Sequence, residues 1–167
     1  MRDKLIESDI KKMEEEIEYR KLTLRPKLLE SVKEARAHGD LSENFEYKAA
    51  KQEKNRNESR IRYLERMIKS AVVIEDTSKE DEVGMNNTVT VKFEEDGMEA
   101  KYKIVTTVRS NSLKGLISIE SPLGKALLGK KVNDRVFVQV NDNISYYVVV
   151  TDIDKSNDDS EDELVKY

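Results

Sequence analysis

The chain has no cysteine in 167 residues, which excludes disulfides and thiolate metal sites and fits a reducing compartment. Its single histidine, His38, rules out a His-rich metal site and, beside Gly39, reads as a solvated turn residue. Long hydrophobic runs are missing as well. No stretch of 18 apolar residues occurs, and the opening Met-Arg-Asp-Lys-Leu-Ile-Glu lacks the apolar core of a signal peptide. Neither a membrane partner nor export is indicated, and a cytoplasmic location is expected. Proline is scarce, with two residues: Pro26 falls inside a helical pattern and Pro122 opens one.

What is present is charge. Charged residues make up 38% and hydrophobic residues 37% of the chain, polar for a globular protein of one or two small domains. Residues 1–76 carry 18 Lys+Arg against 17 Asp+Glu, whereas 77–167 carry 12 against 17. Much of that acidity lies at 152–167, with seven acids and two bases.

Helical periodicity dominates the first half. Ile10, Met13, Ile17, Leu24, Leu28, Val32 and Ala35 recur at steps of three, four or their sum, predicting a helix over roughly 8–37 with a kink at Pro26. Tyr47, Ala50, Lys54, Asn57, Ile61, Leu64, Ile68 and Ala71 alternate by three and four, the seam of a coiled coil. Gly39 ends the first helix, because glycine reaches positive φ cheaply. Asp40 and Glu43 have the spacing of a capping box opening the second helix. So short a connection predicts an antiparallel hairpin over 1–76. More than 25 residues on each side place the two acids at the end of a rod about 40 Å long, more reach than a plain bundle needs. From Lys48 to Lys69 eight bases (Lys48, Lys51, Lys54, Arg56, Arg60, Arg62, Arg66, Lys69) face three acids, so one side of the rod is basic and suited to phosphate contacts.

Residues 77–87 lose all periodicity and read as a linker. Beyond them, over 88–153, the pattern switches to period two. Thr88–Phe93, Ala100–Val105, Leu116–Glu120, Arg135–Val140 and Ser145–Ile153 are predicted strands of a small antiparallel sheet. Asp96-Gly97 and Asn141-Asp142-Asn143 supply hairpin turns. Ser121-Pro-Leu-Gly-Lys-Ala-Leu-Leu-Gly129 places proline just inside a short helix and glycine at its end. The acidic segment 154–167 is expected to be disordered.

The tip sequence Glu34-Ala-Arg-Ala-His-Gly-Asp-Leu-Ser-Glu-Asn-Phe-Glu-Tyr-Lys-Ala-Ala-Lys51 closely resembles the coiled-coil tip of the bacterial GreA/GreB transcript-cleavage factors, and Arg25-Pro26 looks like that family's first-helix Arg-Pro. A second, separate motif resembles it too: Ile117-Ser-Ile-Glu-Ser-Pro-Leu-Gly-Lys-Ala-Leu-Leu-Gly-Lys130. The likeness spans about residues 8–153. It departs at Arg109-Ser110-Asn111, where many relatives carry an acidic Glu-Ala-Asp, and at Phe45, where a small residue is usual.

The resemblance implies an α+β fold, an antiparallel coiled-coil hairpin followed by a small FKBP-like domain with a short helix. It implies a monomeric factor that is not itself an enzyme. The factor enters the secondary channel of bacterial RNA polymerase and stimulates the polymerase's own cleavage of backtracked RNA. Asp40 and Glu43 are then the catalytic acids lent to the polymerase, holding a Mg²⁺ ion shared with it, with none bound by the chain alone. Lys48, Lys51, Lys54 and Arg56 would face the nascent RNA 3′ end, and Ser121, Pro122, Leu123, Gly124 and Lys125 would grip the channel rim. Two carboxylates alone make a poor Mg²⁺ site, so the polymerase must complete it. Rival expectations are an inhibitor that fills the channel without promoting cleavage, a coiled-coil adaptor whose acids only cap a helix, and, least supported by its ligand count, a stand-alone nuclease.

Overall fold

The computed structural model describes residues 3–39, 44–156 and 162–166. The chain divides into two compact units, one holding 7–72 and the other 4–6 together with 73–166. Among the described residues no helix is long and apolar enough to cross a membrane.

The first unit is a helical hairpin. Helix α1 (Glu7–Tyr19) runs through a π-helical turn at Arg20–Leu24 into α2 (Arg25–Ala37), and α3 (Phe45–Ser70) returns beside them. The kink expected at Pro26 is instead this widened turn. Proline has no N–H and its ring crowds the carbonyl four residues back, which an i to i+5 turn relieves. The Arg25 amide bonds to the Arg20 carbonyl, and Asn57 Nδ2 donates to that same oxygen at 3.2 Å. Asn57 Oδ1 accepts from Arg20 Nη1 at 2.9 Å. The buried polar seam residue is thus satisfied on both atoms by the turn opposite it, pinning α3 in register.

All eight expected seam residues of the second helical pattern are buried or half-buried, and Met13 on α1 is buried as are Ile61 and Leu64 on α3. Arg60, read from sequence as part of the basic face, is 8% exposed. It donates to both carboxylate oxygens of Glu16, at 2.8 and 3.3 Å. Arg20 also donates to Glu16, at 2.8 Å. Arg25 grips Glu58 with two bonds of 3.0 and 2.7 Å, the planar fork matching the carboxylate.

The second unit is built on five strands: β3 (Thr88–Phe93), β4 (Glu99–Val105), β5 (Leu116–Ser118), β6 (Arg135–Gln139) and β7 (Ser145–Asp154), in the order β5-β4-β3-β7-β6. The pairs β3–β4, β3–β7 and β6–β7 are antiparallel as expected. β5 runs parallel to β4, so the sheet is mixed rather than antiparallel throughout. Two 3₁₀ turns between β4 and β5 return the chain to the sheet edge in that direction. Alternate residues of the strands, Val89, Val91, Val136, Val138, Val148 and Val150, meet Ile104 and Leu127 in the core. Helix α4 (Pro122–Leu127) covers it.

Residues 77–87 are not a free linker. Val83 and Met85 are core residues, and the Val83 amide bonds to Lys130 O at 2.8 Å while Val83 O accepts from Gly129. A segment satisfied by a loop rather than a ladder carries no periodicity to read. Strand β1 (Lys4–Leu5) also belongs to this unit: Leu5 is fully buried and its carbonyl accepts from Ile74, just past β2 (Val72–Val73). Nor are residues 162–166 free. Asp162 lies 2.7 Å from Lys103 Nζ, and the Val165 amide donates to Val108 O at 2.6 Å.

Candidate functional site at the hairpin tip

Helix α2 stops where the sequence requires. His38 donates its amide to Ala35 O at 3.2 Å, and Gly39 follows at φ +129, a conformation costly for any side chain. Asp40 and Glu43 lie outside the described residues, within the four-residue connection from Gly39 to Asn44.

The start of α3 corrects the capping box. The N-cap is Asn44, whose Oδ1 accepts from the Tyr47 amide at 3.0 Å. Asp40 is therefore not the residue that caps α3. The same Asn44 side chain donates through Nδ2 to Ala35 O at 2.6 Å. One residue thus closes the N-terminus of α3 and the C-terminus of α2 together, holding both ends of the acidic loop. An Asn one residue before the helical run was the available signal; the better-known acid spacing masked it.

Phe45 is 80% exposed, with Lys48 Nζ 5.8 Å from its ring centroid. Tyr47 takes a hydrogen bond from Arg36 Nη2 at 3.2 Å, which lowers its pKa, with the Arg36, Lys51 and Lys54 charges adding to the effect. His38 Nδ1 and Glu46 Oε2 stand 3.4 Å apart on the surface. Of the four residues expected to face RNA, Lys48, Lys51 and Arg56 are exposed and Lys54 is half-buried at the seam. Arg56 is paired to Glu53 at 3.2 Å. Among the described residues no group of three metal-binding side chains occurs. Two carboxylates would suit Mg²⁺ in oxygen chemistry and are too few to hold it without a second contributor.

The second motif separates into supports and contacts. Ser121 Oγ accepts from the Gly124 amide at 3.1 Å and donates to Ser118 O at 2.6 Å. A Cβ on Gly124 would overlap the Ser118 carbonyl, so this glycine is required by close packing. Leu123 packs on the core. Pro122 and Lys125 present exposed side chains, Lys125 opposite Glu120 at 3.9 Å.

Comparison with known proteins matches both units of the chain to family models. The model described as "Transcription elongation factor, N-terminal" matches residues 5–73, and "Transcription elongation factor, GreA/GreB, C-term" matches 77–155. The chain belongs to the GreA/GreB family of transcription elongation factors. The protein named transcription elongation factor GreA in Thermoanaerobacter pseudethanolicus is 49% identical over 78% of this chain and 84% of its own. The GreA of Lachnoclostridium phytofermentans is 42% identical over 89% and 92%, and that of Bacillus subtilis 45% identical over 77% and 82%. Among solved structures, the GreA factor homolog 1 protein of Thermus thermophilus is 27% identical, covering 92% of this chain and 99% of that one, with a TM-score of 0.42.

Proposed function

We propose that this protein is an elongation factor that acts on bacterial RNA polymerase from its secondary channel, stimulating the polymerase's own cleavage of backtracked RNA without being an enzyme itself. In this reading residues 1–76 carry the activity and 88–153 the attachment. The observation that carries it is the Asn44 clamp. α3 extends about 39 Å at 1.5 Å per residue, and both chain ends of the acidic loop are fastened to helix termini. That is how a short loop is presented at the end of a stiff stem.

Asp40 and Glu43 would hold a Mg²⁺ shared with the polymerase. When bound, such an ion stabilises the attacking and leaving oxygens of an in-line displacement. The chain's own part is to bring two negative charges on a short, clamped loop and to leave the remaining coordination to the polymerase and RNA. Lys48, Lys51 and Arg56, with Lys54 on the flank, would contact phosphates near the RNA 3′ end. Pro122 and Lys125 would meet the channel rim, on a loop whose shape Ser121, Leu123 and Gly124 maintain.

The test is RNA shortening in stalled, backtracked complexes with and without the protein. Shortening only when polymerase and protein are both present supports the reading. Hydrolysis of RNA by the protein alone, in a preparation free of contaminating nuclease, contradicts it.

A further inference from the structure

Residues 162–166 lie beyond the family match, which ends at 155, yet they are held by chemistry specific enough to define what binds there. Asp162 Oδ2 is 2.7 Å from Lys103 Nζ and 3.7 Å from Arg109 Nη1. Its side chain is 12% exposed, and that of Arg109 0%. Three residues on, the Val165 amide donates to Val108 O, and Leu164 and Val165 are half-buried. An acid, a backbone donor and an aliphatic pair therefore meet Lys103 of β4 and the 3₁₀ turn Thr107–Arg109 of the second unit.

The receiving surface is preformed for an anion. Arg109 Nη2 donates to Asn86 Oδ1 at 3.2 Å, and Lys103 sits within strand β4. Removing a carboxylate from beside a buried guanidinium carries a desolvation penalty, so an acid at this position is favoured over a neutral residue. It can be exchanged for another. The five-residue strap is tethered a few residues past β7, at an effective concentration on the order of millimolar, and a segment with better contacts can displace it.

We propose that the Lys103–Val108–Arg109 surface is a docking site for an extended acidic segment of a partner protein, and that residues 162–166 occupy it in cis until displaced. The partner segment carries a carboxylate at its first position, aliphatic residues at the third and fourth, and a free backbone N–H at the fourth. The proposal goes beyond the polymerase reading and does not depend on it.

The test uses the full chain and its Asp162→Lys variant. In the wild type the Val165 amide should exchange with solvent at least tenfold more slowly than in the variant. The blocked pentapeptide Asp-Glu-Leu-Val-Lys, added in trans, should shift the Lys103, Val108 and Arg109 amide resonances of the variant. On the wild type it should bind at least tenfold more weakly, because the site is filled. Asp162→Asn, which keeps the shape and removes the charge, serves the same comparison if the lysine variant fails to fold. Equal Val165 exchange in both chains, or peptide shifts that are alike or absent in both, would overturn the proposal.

Discussion

Asn44 shows how much can rest on one side chain. Its carbonyl oxygen caps α3 and its amide nitrogen caps α2, so Asn44→Ala removes one bond at each of two helix ends. The expected cost is about 1–2 kcal/mol, read as a lower midpoint in denaturant, whereas Asn44→Asp keeps the α3 cap and loses only the donor to Ala35. Equal stability of wild type and Asn44→Ala would show that the clamp is dispensable. Glu16 offers a second test. Burial alone would raise its pKa, but hydrogen bonds and charges from Arg60 and Arg20 outweigh it and hold it below the ordinary 4.5. A depressed carboxylate stabilises the fold above its unfolded pKa, and that contribution is lost as the pH falls through the folded value. The melting temperature of wild type should therefore exceed that of Glu16→Gln at pH 7 and converge on it below about pH 4.5. A constant gap across that range would mean that the Glu16 charge contributes nothing. Neither residue was legible as a partner in the sequence. Glu16 and Arg60 are 44 positions apart, and periodicity describes which face a residue occupies, not which charge meets it there.

At the level of elements, the seam of α3 was legible throughout because burial on a helix repeats every three or four residues. The strands were legible for the same kind of reason, with period two. What periodicity missed was any backbone satisfied irregularly: the π-helical turn at Arg20–Leu24, the packed segment around Val83, and the direction of β5, which pairing and not composition decides. Arg109 is the sharpest case. The sequence marked it only as a departure from the family pattern, yet it is fully buried, since a short 3₁₀ turn aims it inward at Asn86 and Asp162. The basic face of α3 was overcounted through Arg60, which is buried, and Lys54, which is half-buried at the seam, whereas Lys48 and Lys51 are exposed. Neutralising Lys48 and Lys51 together should weaken binding to complexes with extruded RNA and flatten its dependence on salt, each phosphate contact contributing a slope of roughly 0.7 for single strands. Unchanged affinity and slope would make this face a solvated surface only.

For the whole molecule, the claim is that a rigid hairpin presents two carboxylates that act as charges rather than as caps. Separating those roles has become simpler, because Asn44 and not Asp40 is the N-cap of α3. An amide in place of either acid should leave the helix start untouched. The decisive measurement is the rate of RNA shortening in backtracked complexes with Asp40→Asn and with Glu43→Gln, taken alongside melting temperature and competition binding to polymerase on the same preparations. Each variant is predicted to melt and bind as wild type does while losing most of the stimulation, with partial recovery at raised magnesium. Full stimulation by Asp40→Asn would contradict the account.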